Sequence, residues 1–192
     1  MSVPALVEGY VESVFLPVVL QQLGRADLQP TIRIAGGTTK FWPIATRWNE
    51  AGKNSTLIGL ADVEQAECAP ELLRNELPQK NSGFHLRLAV RMLESWLIAD
   101  RVRLAAFLKV PVAAIPTQPD TLQHPKRELV NIARRSTRKS IRESLIPDDS
   151  GAVVGPNYVA TVSEFITGHW QSETARGVSP SLHRACERWA AI

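Results

Sequence analysis

The sequence predicts an α/β fold with a mostly parallel central sheet flanked by helices and followed by a helical C-terminal extension. Short apolar or β-branched runs, which are typical of buried strands, occur at residues 3–7, 31–35, 55–61 and 85–90. Each run precedes a stretch with apolar residues at helical spacing, at residues 11–23, 40–51, 69–77 and 92–108. Four alternations of strand and helix favour a parallel sheet, whose ligand sites form at the carboxyl ends of the strands.

The composition changes after Lys109 and predicts a boundary there. Pro111, Pro116, Pro119 and Pro125 fall within a short stretch, which marks a loop or a domain edge, and further helices are expected beyond it. We therefore predict an α/β domain over residues 1–110 and a helical extension over residues 111–192 that packs on it. A chain of 192 residues with 44% hydrophobic residues is long enough to bury a substantial core.

The charges are unevenly distributed between the two halves. Residues 1–100 carry 9 basic and 11 acidic side chains, whereas residues 101–192 carry 13 basic and 8 acidic ones. This division fits a metal site beside a phosphate-binding surface, although ordinary solvated faces would give it as well. The two cysteines form no metal-binding spacing and predict a reducing, cytoplasmic compartment. No apolar run is long enough to predict membrane insertion.

Acidic residues follow two of the predicted strands. Glu8 and Glu12 are four residues apart across a strand-to-helix turn, so both can point toward one place above the sheet. Asp62 and Glu64 share a face if the extended backbone continues past the strand. Carboxylate oxygens suit Mg²⁺ or Mn²⁺, which orient water and neutralise charge in phosphoryl transfer.

These acids also have structural interpretations. Glu12 could lie on a solvated helix face, and Glu64 and Glu67 could begin the next helix, where acids favour the N-terminal dipole. Such interpretations are weaker for Glu8 and Asp62, because a charge at the end of an apolar strand needs a reason.

Two short strings carry a resemblance to a known fold family. Residues 6–12 (LVEGYVE) resemble the first Toprim motif, and residues 59–64 (GLADVE) resemble the second, in the version used by overcoming-lysogenization-defect nucleases. Residues 87–100 (RLAVRMLESWLIAD) resemble the most distinctive stretch of the bacterial family called domain of unknown function 4276, and segments beginning at residues 125, 154 and 179 resemble its C-terminal half. The resemblance covers nearly the whole chain.

The resemblance implies a Toprim-like (Rossmann-like) fold and metal-dependent action on nucleic acid, with a possible role in phage or mobile-element defence beside an ATPase partner. By position, Glu8 matches the glutamate assigned as metal ligand or general base, and Glu12 matches the second acid of the nuclease version. Asp62 matches the first acid of the Asp-x-Asp pair. Glu64 stands where the second aspartate belongs and is one methylene longer, which puts the second metal position in doubt.

Glu94 follows the fourth predicted strand and has two interpretations. It could supply a further carboxylate to the metal site, or it could pair with Arg91 as a structural bridge. Thr38, Thr39 and Lys40 could bind a phosphate at a helix N-terminus, but the full P-loop pattern is missing and ATP binding is not predicted.

A basic segment follows the proline-rich stretch. On a continuous helix its cations would form one broad stripe suited to a nucleic-acid backbone, or to an acidic protein partner, or simply to solvent. The predicted nucleic-acid-binding residues are Lys126, Arg127, Arg134, Arg135, Arg138, Lys139 and Arg142.

The sequence thus favours a metal-dependent endonuclease in which Mg²⁺ or Mn²⁺ is held by Glu8, Asp62 and Glu64 with help from Glu12 and Glu94. Glu8 and Asp62 are the expected catalytic residues, and DNA is the first candidate substrate. The alternative is a non-catalytic Toprim-like subunit that binds nucleic acid or regulates a partner ATPase.

Overall fold

The first half of the chain alternates between strands and helices, as predicted. The computed structural model describes residues 2–64, 68–149 and 151–192. The elements of this half are β1 (Ser2–Val7), α1 (Tyr10–Gln22), β2 (Gln29–Ile34), α2 (Thr38–Ala51), β3 (Leu57–Asp62), α3 (Ala69–Glu76) and β4 (Phe84–Ala89). The observed bounds differ from the predicted ones by one or two residues.

The remainder of the described chain is helical. Two short 3-10 turns, at Val112–Ala114 and Pro119–Thr121, lie in the proline-rich stretch. The helices are α4 (Leu93–Ala99), α5 (Arg101–Leu108), α6 (Pro125–Arg134), α7 (Lys139–Leu145), α8 (Tyr158–Gly168), α9 (Ser172–Arg176) and α10 (Pro180–Ala190). Of the helices in the described residues, none has both the length and the apolar character that crossing a bilayer requires.

The strands form one parallel sheet in the order β2-β1-β3-β4, which confirms the predicted fold class. Strand β3 is interior, and all six of its residues are buried, as its apolar sequence leads one to expect. Val7 of β1 is in register with Leu60 of β3. The carboxyl ends of these two strands therefore lie side by side.

The sheet separates two hydrophobic cores. Alternate residues of a strand point to opposite faces, so Val7 and Leu60 belong to one core while Leu6 and Ala61 belong to the other. Helix α2 covers the second core through Phe41. Helix α1 and the helices of residues 93–190 cover the first core, which contains apolar residues from both predicted domain ranges.

An aromatic cluster around Trp96 joins the later helices to the sheet layer. The ring of Trp96 lies 5.7 Å from Phe15 of α1 and 6.1 Å from Trp189 of α10. Its indole nitrogen donates to Oγ of Ser181 at 2.7 Å, and its carbonyl accepts from Nε1 of Trp170 at 3.0 Å. The buried polar groups of this cluster thus connect α4 to α10 and to the segment before α9.

The single helix predicted over residues 92–108 is wrong, because Asp100 divides it into α4 and α5. Asp100 is buried, and its Oδ2 accepts a hydrogen bond from the backbone N–H of Gln171 at 2.9 Å. Its Oδ1 lies 3.4 Å from Nη1 of Arg103. A tertiary hydrogen bond at this position outweighs the apolar periodicity that predicted a continuous helix.

The continuous basic helix is also wrong, because the chain turns between α6 and α7. Oγ of Ser136 accepts from the backbone N–H of Arg138 at 3.0 Å, a local bond that competes with helix formation. Nη1 of Arg142 donates to the carbonyl oxygen of Ser136. Arg127 and Arg134 therefore lie on one helix, and Lys139 and Arg142 on another.

We predict that Trp96→Ala lowers the free energy of unfolding by about 3–5 kcal/mol, since it removes a buried ring and two aromatic contacts. Urea denaturation measures the change. Val102→Ala, at a position 61% exposed, is the control and should stay within about 0.5 kcal/mol of the parent. A Trp96→Ala effect no larger than the control would show that this cluster does not hold the layers together.

Candidate functional site

The topology brings Glu8 and Asp62 together at one edge of the sheet. Glu8 follows β1 and Asp62 ends β3, and these strands are neighbours. The backbone N–H of Asp62 donates to Oε2 of Glu8 at 3.3 Å, and the N–H of Glu8 donates to the carbonyl oxygen of Leu60 at 3.2 Å. The side chain of Glu8 therefore contacts the backbone of Asp62, the other acid predicted to be catalytic.

Glu8 is also held by the first residue of α2. Oγ1 of Thr38 donates to Oε1 of Glu8 at 2.6 Å. Burial raises the pKa of Glu8, the bonds from Thr38 and from the Asp62 backbone lower it, and the charge of Glu64 raises it, with a net upward shift. Thr38, considered in the sequence only as a phosphate ligand, thus orients a carboxylate.

Asp62 is buried at the end of β3. Its side chain is 5% exposed, and Oδ1 accepts from the backbone N–H of Leu93, at the start of α4, at 2.9 Å. Burial raises its pKa well above the ordinary range, and the neighbouring charges of Glu12, Glu94 and Glu8 raise it further. The negative charges of three other carboxylates thus act on Asp62.

Glu12 reaches the same place from the first turn of α1. It is 8% exposed, so the interpretation as a solvated helix residue is wrong. Burial raises its pKa to about 7, and the charges of Glu94 and Glu8 contribute to the shift. A Cβ atom added at Gly9 would lie 2.8 Å from Oε2 of Glu12, so the absence of a side chain at Gly9 makes room for this carboxylate.

Glu94 belongs to the same group of acids. It is 3% exposed, its Oε1 accepts from Oη of Tyr158 at 2.8 Å, and the same oxygen lies 3.6 Å from Nζ of Lys126. Of its two interpretations, the structure favours the one that places it in the acidic site. The guanidinium of Arg91 donates instead to the backbone carbonyl of Glu64 at 3.2 Å.

Lys126 is the cation of this site rather than part of a basic stripe. Burial alone would lower its pKa, but the charges of Glu94, Asp62 and Glu12 raise it above the ordinary value. The same ammonium lowers the pKa of Glu8, Glu12 and Asp62. One lysine from α6 thus faces a group of four acids.

Glu64 lies at the margin of the site. The backbone leaves the extended conformation after β3, and Glu64 adopts a left-handed φ of 52°, so the condition for Asp62 and Glu64 to share a face is not met. Glu64 is half-buried and lines a cleft of about 150 Å³ with Met92, Gln123 and His124. Glu67, considered as a helix-starting acid, lies outside the described residues.

The donor set of the site suits a hard divalent cation, since every ionisable ligand candidate is a carboxylate. In the described part of the chain, no three Asp, Glu, His or Cys side chains are arranged so that they could hold a metal ion as they stand. The oxygens instead accept hydrogen bonds from Thr38, Tyr158 and the backbone, and Glu94 forms an ion pair with Lys126. Metal binding would require these side chains to change rotamer.

Two of the remaining predicted nucleic-acid-binding residues line a groove on α6. Arg127 and Arg134 surround a volume of about 350 Å³ together with Asn131, Pro147 and residues 151–153. Arg135, Arg138 and Lys139 are exposed on and after the turn that follows α6, and Arg142 is half-buried. Nζ of Lys139 lies 3.3 Å from Oε1 of Glu143, so the carboxylate partly balances the charge of this lysine.

Two contributors to the site were missed by the sequence analysis. Tyr158 was not among the predicted site residues, yet burial and the charge of Glu94 raise its pKa well above the ordinary value, so its hydroxyl stays protonated and donates to Glu94. Lys126 had been grouped with its basic neighbours. No periodicity or spacing relates residues 126 and 158 to residue 94, since tertiary packing alone brings them together.

Comparisons of the chain with protein-family models, with curated proteins and with solved structures found no match.

We predict that the metal-free protein loses stability as pH rises from about 4.5 to about 7. The pKa of Glu12 is 4.5 in the unfolded chain and about 7 in the folded one, so in this window the folded chain retains a proton that the unfolded chain has released. The loss is on the order of a few kcal/mol, since one pKa unit corresponds to about 1.4 kcal/mol. Urea denaturation in EDTA at several pH values measures it.

Glu12→Gln tests the assignment, because the amide cannot release the proton. This variant should be more stable than the parent at pH 7 and should show a shallower decline across the window. Glu173→Gln, at an exposed position, is the matched control and should leave the pH profile unchanged. Identical profiles for the parent and Glu12→Gln would contradict the assignment.

Proposed function

We propose that this chain is a divalent-metal-dependent endonuclease with a Toprim-like fold that hydrolyses phosphodiester bonds of nucleic acid. The observation that carries the proposal is the gathering of acids at the carboxyl ends of neighbouring parallel strands: Oε2 of Glu8 bonds the backbone N–H of Asp62, and the charges of Glu8, Glu12 and Glu94 all act on the Asp62 carboxylate. Four acids withdrawn from water repel one another, and such an arrangement is unfavourable unless cations compensate.

The residues that would hold Mg²⁺ or Mn²⁺ are Glu8 and Asp62, with Glu12 and Glu94 nearby and Glu64 at the margin. A bound ion supplies an activated water and neutralises charge on the leaving oxygen. The raised pKa values of Glu8, Glu12 and Asp62 support this assignment, because burial and then mutual repulsion disfavour the ionised carboxylates and a bound divalent cation would stabilise them.

Other residues of the chain prepare the site. Thr38 fixes one oxygen of Glu8, and Tyr158 fixes one oxygen of Glu94. Lys126 balances part of the negative charge and offers an ammonium that can attract a phosphate oxygen. Each of these contacts lowers the freedom of a carboxylate before substrate arrives.

The groove on α6 supports nucleic acid as the substrate class. Arg127 directly follows Lys126 in the first turn of α6, so one helix supplies both the cation of the acidic site and an arginine of the groove. Guanidinium groups bind phosphate oxygens regardless of base sequence. A nucleic-acid backbone held in this groove would lie along the helix that carries Lys126.

We predict that the protein nicks supercoiled plasmid DNA in the presence of Mn²⁺ and that Glu8→Gln and Asp62→Asn abolish the nicking. Both substitutions keep the side-chain size and remove a charged ligand. The loss should be at least about a hundredfold, comparable to the loss of a ligand or its support in other metal sites. Gel electrophoresis of the plasmid measures nicked DNA, and circular dichroism checks that the variants fold.

Glu173→Gln is the control for this experiment and should nick at the parental rate. Mn²⁺ should also raise the melting temperature of the parent but not of Asp62→Asn, because an ion that binds only the folded state stabilises it. A parent that remains inert with every divalent metal would contradict the nuclease proposal.

We predict that Arg127→Ala combined with Arg134→Ala weakens binding of duplex DNA and makes it less dependent on salt. For every phosphate that the double variant no longer neutralises, the negative slope of the logarithm of the association constant against the logarithm of the salt concentration should become shallower by about 0.9. Fluorescence anisotropy at several salt concentrations gives both quantities. Arg47→Ala, at an exposed position of α2, is the matched control and should leave the slope unchanged.

A second candidate function is a non-catalytic Toprim-like subunit that binds nucleic acid within an ATPase-containing complex. The observation that favours it is Lys126, whose ammonium already lies among the acids where a metal would bind. In that case calorimetry should detect no Mn²⁺ binding, and DNA affinity should be the same with and without EDTA. Lys126→Met would then destabilise the protein, since it leaves the carboxylates without their cation.

A further inference from the structure

A second charged site is a cleft beside β4, the edge strand on the other side of the sheet from β2. The cleft has a volume of about 260 Å³ and is formed by the start of α3, by β4 and by α10. Its charged lining residues are Arg87 of β4 and Arg184 and Arg188 of α10, and its apolar part includes Leu73 and Val90. None of these arginines belongs to the basic segment of residues 126–142.

Lys80 extends this basic cluster. Nζ of Lys80 and Nη1 of Arg87 both donate to the carbonyl oxygen of Leu86, at 3.5 and 2.9 Å. The two cations therefore converge on one backbone atom at the side of the cleft. Like charges gathered in this way repel each other unless an anion lies between them.

Burial and the repulsion between these cations lower the pKa values of Lys80 and Arg87. Burial lowers the pKa of Lys80 to about 8, and the charges of Arg87 and Arg188 contribute to the shift. Burial and then Arg188 lower the pKa of Arg87. Among the described residues, no carboxylate lies within ion-pair distance of Lys80, Arg87, Arg184 or Arg188.

Arg87 also has a donor without a partner in the part of the chain that the structure describes. Its Nε is buried and has no hydrogen-bond partner among the described residues. A buried donor left without an acceptor is unfavourable, and native structures contain few of them. Arg184 and Arg188 are exposed, so their guanidinium groups are free to turn toward a ligand in the cleft.

We propose that this cleft binds the phosphate group of a small phosphate monoester. Several guanidinium groups around one site suit an oxyanion with more than one negative charge, because each planar fork can bind two of its oxygens. A lone carboxylate would leave most of the positive charge unbalanced. The apolar part of the lining gives a surface against which the organic part of the ester can pack.

This site is independent of the acidic site in the proposed nuclease. The cleft is formed by α3, β4 and α10, Lys80 comes from the segment between α3 and β4, and none of the residues involved is a candidate metal ligand. Glu8→Gln should therefore leave phosphate binding unchanged, whatever its effect on plasmid nicking.

Isothermal titration calorimetry with inorganic phosphate, adenosine monophosphate and acetate, at constant ionic strength, tests the proposal. We expect saturable binding of both phosphate compounds and none of acetate. Arg188→Gln should weaken phosphate binding at least tenfold, and Arg87→Met should do the same. Arg47→Gln is the matched surface control and should bind as the parent does.

The exposed position of Arg188 keeps the test sound if Arg87→Met fails to fold. Parental affinity in Arg188→Gln would overturn the proposal, and so would equal binding of acetate, which would indicate a general response to negative charge. Binding of short single-stranded DNA that depends on Arg188, without binding of either phosphate compound, would overturn it in favour of a nucleic-acid contact.

Discussion

The adjacency of β1 and β3 is the constraint on which the acidic site depends. Because the strands are parallel neighbours, the residues that follow them emerge at the same edge, and Oε2 of Glu8 meets the backbone N–H of Asp62. This geometry concentrates like charge in a poorly solvated place, where each ionised carboxylate makes the next one harder to ionise. The surrounding contacts from Thr38, Tyr158 and Lys126 serve to limit that cost.

The later helices are part of the site as well as of the core. Lys126 lies in the first turn of α6 and Tyr158 begins α8, and both reach Glu94 in the first turn of α4. The aromatic cluster around Trp96, two residues further along α4, fixes this helix against α1 and α10. Packing of the first core therefore positions a carboxylate together with its cation and its hydrogen-bond donor.

The parts of the structure that follow local rules could be predicted from the sequence. Apolar runs and helical spacing gave the four alternations of strand and helix, and the position of Glu8 and Asp62 after strands indicated a shared edge. Helix continuity was predicted wrongly at Asp100 and at Ser136, because hydrogen bonds of these side chains interrupt regular periodicity. The role of Lys126 could not be predicted, since its contact with Glu94 depends on tertiary packing.

The dependence on Lys126 has a consequence for how the protein is made. During synthesis, β1, β3 and α4 emerge from the ribosome before α6, so the acids are present in the growing polypeptide before their counter-charge exists. The repulsion among Glu8, Glu12, Asp62 and Glu94 then opposes closure of that edge until residue 126 arrives. Charge compensation by Lys126 is therefore complete only after α6 has been translated.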